Sequence, residues 1–351
     1  MKTYRFILTG LGNIGRTFLE MLSTREQLLA ERYGLALQAV GVADSSGAIY
    51  APEGLNLAAV AAHKKARRGV VELAGPGQWR GDGLALVEQA EADFLLEATP
   101  TNLVDGQPGL DMVRIGLRRG MHAVLASKGP LVLAYQELAG LSDLTTKSAP
   151  ALRFSGAVGG ALPSINLGRR DLAGARIQRV EAVVNGTTQL ILWLMSQGQS
   201  YEAALAEAQR IGIAEPDPSL DVAGWDAANK LVIIANAVLN LPTTLADVSV
   251  TGIGGVRPEE LQAARAAGGR VSLLAVAEAQ PDGSSLAYRL SVAPTTLAAD
   301  HPLAHLQADE MGIVYYSDIG GRMLAAVREE GPGGSCAAML RDIIEIAQRE
   351  R

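Results

Sequence analysis

RFILTGLGNIGRTFLEML, residues 5–22, decides how the first half of the chain folds. Phe6 to Thr9 read as a buried strand, a glycine turn follows, and Ile14, Phe18, Leu19 and Leu22 then fall on one face of an amphipathic helix. Between strand and helix, Gly10, Gly12 and Gly15 form G-x-G-x-x-G. There one glycine makes the turn, one lets a pyrophosphate approach the backbone, and one allows close helix–strand packing. The helix start, with Asn13 and Ile14, faces the phosphates. A glycine turn that serves packing alone is the competing reading, and the placement after a strand and before a helix favours the dinucleotide.

Outward from this unit, ALQAVGVAD (36–44) reads as a second strand ending in Asp44. This fold places there the acid that accepts hydrogen bonds from the adenosine ribose. Asp44 repels a 2′-phosphate and favours NAD. Ser45, Ser46 and the run HKKARRG (63–69), with Lys64, Lys65, Arg67 and Arg68, could instead serve NADP, so the choice stays open. The same run also reads as a solvated helix end. Further strands at DFLLEATP (93–100) and HAVLASK (122–128) end near the nicotinamide of a parallel doubly wound sheet, which brings Thr99, Pro100, Thr101 and Lys128 to that edge.

The 351 residues suffice for about two domains, and 48% hydrophobic content fills their cores. A net charge of -6 argues against a nucleic-acid partner. No signal peptide is evident, and apolar runs such as LVIIANAVL are too short for the roughly 20 residues of a membrane span. Cys336 is the single cysteine, which excludes an intrachain disulfide and fits a cytoplasmic protein.

After Lys128 the composition changes. SGAVGGALPS (155–164) reads as a domain crossover with exposed carbonyls, and NGTT (185–188) as a polar turn opening a helix. The free N–H groups at Gly186 and Thr187 suit a carboxylate, or Thr187 or Thr188 caps the helix. In AEPDPSLDVAGWDAANKL (214–231), Asp217 and Pro218 read as an N-cap and first helical residue, and a longer helix runs from Trp225 to Asn240. Asp226 and Lys230 share a face of that helix. A surface ion pair is the plain reading, yet Lys230 leads into a run that looks buried all round and needs partners there.

These motifs, with EATPTN (97–102), ASKGPL (126–131), VGGALP (158–163), NGTTQLIL (185–192) and GPGG (331–334), resemble homoserine dehydrogenase over nearly the whole chain. The resemblance implies NAD- or NADP-dependent reversible reduction of L-aspartate 4-semialdehyde to L-homoserine, on the route to threonine and methionine. It implies that Glu215, Asp221 and Asp226 hold the substrate amino group, with Gly186 and Thr187 beside them. Lys230 reaches the reacting oxygen, and Lys128 lies between nicotinamide and substrate. Gly333 joins the cofactor site, and a monovalent cation such as Na⁺ sits on the carbonyls of Val158, Gly160 and Leu162. Relatives often carry Glu where this chain has Ser155.

The expected architecture is a Rossmann-type domain over 1–152, completed by 316–351, and an α+β domain over 153–315 for substrate binding and homodimer formation. The regulatory domain that many relatives append is expected to be absent, so that L-threonine does not inhibit allosterically. A dehydrogenase of the same fold on another small amino acid, and a non-catalytic NAD(P)-binding sensor, are the alternatives. A thioester-forming semialdehyde dehydrogenase would need a cysteine nucleophile, and Cys336 lies far along the chain from ASKG. His301 and His305 have metal-like spacing without a third ligand, and read as structural.

Overall fold

A computed structural model describes residues 1–75, 77–142, 149–280 and 287–350. The chain divides into two compact units, Met1–Ala161 with Glu330–Arg351, and Leu162–Glu329.

The first unit holds a seven-stranded sheet built from β1 (Lys2–Thr9), β2 (Leu35–Asp44), β3 (Gly47–Tyr50), β4 (Trp79–Gly81), β5 (Phe94–Glu97), β6 (His122–Leu125) and β7 (Leu152–Arg153), in the order β4-β3-β2-β1-β5-β6-β7. β2, β1, β5, β6 and β7 run parallel, and β3 and β4 add antiparallel strands beyond β2. Strand order reverses at β1, which has β2 on one side and β5 on the other. In such sheets the crevice at that reversal is where ligands bind, at the carboxyl ends of the strands.

Phe6, Ile7 and Leu8 are fully buried, because strands covered on both faces must be apolar throughout. The first helix, Asn13–Ser23, buries Gly15, Phe18, Leu19 and Leu22, the face that its spacing predicts, with Ile14 packed at the edge. The helix Gly333–Arg349 joins the same core through Cys336, Met339, Ile343 and Ile346.

The second unit holds a six-stranded sheet of β8 (Ile177–Val183), β9 (Val248–Val250), β10 (Arg270–Gln280), β11 (Ala287–Leu297), β12 (Glu310–Ser317) and β13 (Gly321–Arg328), ordered β13-β12-β8-β10-β11-β9. All neighbours are antiparallel except β11 and β9. One face carries Val180, Ala182, Ala275, Ile313 and Tyr315, all fully buried. The opposite face carries Val183, Leu274 and Val314 under the 301–306 turn. That alternation is the period of two that a strand imposes.

The domain limits differ from expectation at both crossings. β12 pairs with β8 along Gly312↔Val183 to Ser317↔Ile177, and β13 pairs with β12, so residues 316–329 belong to the second unit and the chain returns at Glu330. Residues 153–161 stay with the first unit, where Ser155 is bonded to Asp342 by both its N–H (2.8 Å) and its hydroxyl (2.6 Å). The helix from Trp225 ends at Val238, two residues early, and Asn240 takes a left-handed φ of 54°.

Candidate active site

In the first unit, Gly10 has φ +90°, and a side chain there would meet the backbone of Ala98 at 2.3 Å. At Gly15 a side chain would meet the Gly10 carbonyl at 1.9 Å. At Gly12 nothing lies within 4 Å, so a ligand can come close to the backbone. The helix behind it has no side-chain cap and no acid in its first turn, which leaves the N–H groups of Asn13 and Ile14 and the positive end of the helix for an anion. These features fit a dinucleotide pyrophosphate.

The adjoining strand ends are locked together. Gly10 N–H donates to Ala43 O (2.9 Å), Ala98 N–H to Thr9 O (2.8 Å) and Ala126 N–H to Glu97 O (2.8 Å). Asp44 therefore stands beside the glycine turn, but its carboxylate is already engaged: Oδ1 accepts the N–H (2.7 Å) and hydroxyl (2.5 Å) of Ser46, and Oδ2 accepts Val70 N–H (3.1 Å) and Lys64 Nζ. Burial pushes this carboxyl up, and Lys64 and Ser46 overcome that to hold it below the usual carboxylate range. Lys65, Arg67 and Arg68 are exposed. The basic run is thus one acid's counter-ion and a solvated helix end.

Thr99 N–H donates to Glu97 Oε1 (2.8 Å), and the hydroxyls of Thr99 and Ser127 donate to the two oxygens of the same carboxyl. Glu97 is fully buried, and burial pushes its pKa up against those hydrogen bonds. Pro100 and Thr101 are exposed, and Lys128 N–H lies 3.4 Å from Thr101 Oγ1. Gly333 opens the last helix with free space where a side chain would stand, and Cys336 Sγ in its first turn donates to Ile14 O (3.4 Å). Burial pushes the Cys336 thiol up to about 11, the opposite of an activated nucleophile.

The second unit gathers the carboxylates around Asn185. Its Nδ2 donates to Asp221 Oδ1 (2.6 Å) and Asp226 Oδ2 (2.8 Å), while its Oδ1 accepts Thr188 N–H (2.8 Å) and the Thr188 hydroxyl (2.9 Å). Asn185, not Thr187 or Thr188, caps the helix Gly186–Ser196. Thr187 instead donates its hydroxyl to Ile213 O (3.2 Å). Lys230 Nζ donates to Asp226 Oδ2 (2.7 Å) and Val184 O (2.5 Å), with the lysine side chain 12% and the aspartate 15% exposed. It is therefore no surface pair.

Glu215 is exposed and contributes only its carbonyl, to Gln209 Nε2 at 3.3 Å, so the structure does not draw its carboxylate into this cluster. Asp217 Oδ1 accepts Ser219 N–H (3.1 Å) and starts the short helix Ser219–Val222 from one position ahead of its N-cap, Pro218.

Val158 and Gly160 fall in the first unit, and Leu162, whose carbonyl accepts Ser164 N–H (2.7 Å), opens the second. His301 is bound to Glu181 (2.9 Å) and caps its own turn, so it is structural. Among the described residues no group of three His, Cys, Asp or Glu side chains could hold a metal.

Sequence reasoning missed Glu97 and Asn185. The signals were present, an acid ending an apolar strand and an Asn-Gly pair opening a helix. Neither tells which neighbours will turn toward it.

The homoserine dehydrogenase family model matches residues 163–344, and a Glutamate/Leucine/Phenylalanine/Valine dehydrogenase model matches residues 1–108. The NAD(+)-dependent homoserine dehydrogenase of Pseudomonas canavaninivorans is 34% identical, covering 99% of this chain and 97% of its own. That of Methanocaldococcus jannaschii is 33% identical, covering 97% of each. A crystal structure of a putative homoserine dehydrogenase from Archaeoglobus fulgidus superposes with a TM-score of 0.84 at 31% identity, over 98% of this chain and 99% of that one. A hyperthermophilic archaeal homoserine dehydrogenase in complex with NADPH shares the fold, with a TM-score of 0.82 at 24% identity over 99% and 98%. Near full-length similarity at this level, with the glycine turn and the carboxylate–lysine cluster in place, shows that the chain belongs to the homoserine dehydrogenase family.

Proposed function

We propose that this protein interconverts L-aspartate 4-semialdehyde and L-homoserine with NAD or NADP. The observation that carries the reading is Lys230, held in a half-sheltered cluster by Asp226 and Val184 O. An ammonium has three N–H bonds, and two are engaged here. The third is the one we assign to the reacting oxygen. As the aldehyde carbon is reduced, that oxygen gains negative charge, and a positioned ammonium stabilises it and delivers the proton. In the other direction the same group receives the proton from the homoserine hydroxyl.

Asp221 and Asp226, oriented by Asn185, are assigned to the substrate ammonium, and the opening N–H groups of Gly186 and Thr187 to its carboxylate. Gly10, Gly12, Asn13, Ile14, Gly15 and Gly333 are assigned to the dinucleotide phosphates, and Thr99 and Pro100 to the nicotinamide end, with Lys128 as the second lysine of the reaction. When bound, the nicotinamide supplies or accepts the hydride. Glu97 holds Thr99 and Ser127 in place beside it.

A homodimer formed through the second unit, a cytoplasmic setting and a role in making threonine and methionine belong to the same reading. The test is absorbance at 340 nm with L-homoserine and each of NAD and NADP. Reduction of neither nucleotide would sink the proposal.

A further inference from the structure

The second unit contains a cavity of about 320 Å³ at the far end of the helix Gly186–Ser196, whose opposite end carries the Asn185 cap of the lysine cluster. Arg265, Arg270, His305 and Gln197 give it polar walls, Leu192 and Leu306 apolar ones, and among the described residues no Asp or Glu lines it. Arg270 begins β10 and is partly buried. It donates through Nη1 to Leu306 O, while its Nε is fully buried with no acceptor. Among the described residues no carboxylate pairs with it. Burial pulls this guanidinium below its ordinary pKa with no acid to oppose the shift. Glu310, next to the cavity in sequence, is turned to Gln307 N–H (2.9 Å) and Arg328 (3.6 Å). Arg265 is exposed and gives one N–H to Ser196 O (3.1 Å).

A guanidinium drawn partly out of water without an anion is costly. We propose that this cavity binds a small organic carboxylate, held by the Arg270 guanidinium where it lines the cavity, with Arg265 and His305 beside it and its hydrocarbon body against Leu192 and Leu306. The apolar walls favour a carboxylate on a carbon body over a bare phosphate.

The test is ligand-detected NMR titration of the full chain with butyrate and with its neutral isostere butyramide, inorganic phosphate being added as a competitor. Butyrate is expected to saturate one site, with butyramide at least tenfold weaker. Arg270→Gln should weaken butyrate at least tenfold and abolish the rise in Tm that butyrate gives the parent. Should that variant fail to fold, Arg265→Gln, which removes an exposed side chain, should still weaken butyrate at least threefold. The proposal is overturned if butyrate and butyramide bind alike, if binding survives both substitutions unchanged, or if phosphate displaces butyrate at concentrations below those at which butyrate binds.

Discussion

Lys230 and Asp44 are each tied to a partner, and in each case the tie predicts what a substitution will do. If Lys230 only balanced Asp226, its removal would strip a sheltered carboxylate of its lysine counter-ion and cost about 3–5 kcal/mol of stability. As the group that meets the reacting oxygen, it should, in Lys230→Met, lower kcat by roughly 10²–10⁴ with folding and nucleotide binding near normal. Lys128→Met should behave in the same way, and Asp226→Asn should mainly raise KM for homoserine. Steady-state kinetics and thermal unfolding on the same preparations decide this. Early unfolding with parental turnover in the folded fraction would make the cluster structural. Asp44 neutralises Lys64, so Asp44→Ser both removes a repulsive charge and releases a cation. The ratio of kcat/KM for NADP over NAD should rise, and adding Lys64→Met should cancel most of the rise. An unaltered ratio would show that Asp44 does not face the ribose.

At the scale of elements, Asn185 joins the start of one helix to the acids of two others. Asn185→Ala should cost about 1 kcal/mol through loss of the cap and raise KM for homoserine through loss of the bridge. Asn185→Asp keeps a capping oxygen yet sets a third carboxylate against Asp221 and Asp226. With Asn185 5% exposed and its Nδ2 2.6 and 2.8 Å from those acids, Asn185→Asp should lower Tm at least as far as Asn185→Ala and restore none of the KM, as unfolding and kinetics together would reveal. The last helix carries a second device. Burial pushes Asp342 up to about 6, against the hydrogen bonds of Ser155 and the charges of Arg341 and Arg153. An acid whose folded pKa is raised binds its proton more tightly when folded, so its contribution to stability is complete below about pH 4 and is lost as pH rises through 6. Relative to Asp342→Asn, the parent should lose up to about 3 kcal/mol between pH 4 and pH 7 in denaturant titrations. Of these elements, the glycine turn and the apolar face of the first helix were legible, because spacing alone specifies them. The cap at Asn185 and the carboxyl of Glu97 were not. A side chain's partners depend on segments such as 219–226 and Ser127 that local pattern does not bring near.

For the molecule as a whole, the two-unit division was legible in the change of composition after Lys128, while its limits were not. β12 and β13 look like any alternating strands, and only their register on β8 assigns them to the second unit. The first unit also depends on residues far along the chain. Ile343, 1% exposed within the core around Phe18, should cost about 2–5 kcal/mol on substitution by Ala, measured by chemical denaturation. Nucleotide affinity should fall with it, whereas Ile344→Ala, at the edge of that core, should do little to either. The split of the first unit also bears on how the protein is made. A ribosome releases β1 and its glycine turn early, but the helix that closes their core follows only after all of Leu162–Glu329. At about 5–20 residues per second, that leaves Phe6, Phe18 and Leu19 short of a covering surface for roughly ten seconds or more. The segment built first is completed last, and during that interval the nascent chain is the form of this protein most in need of a chaperone.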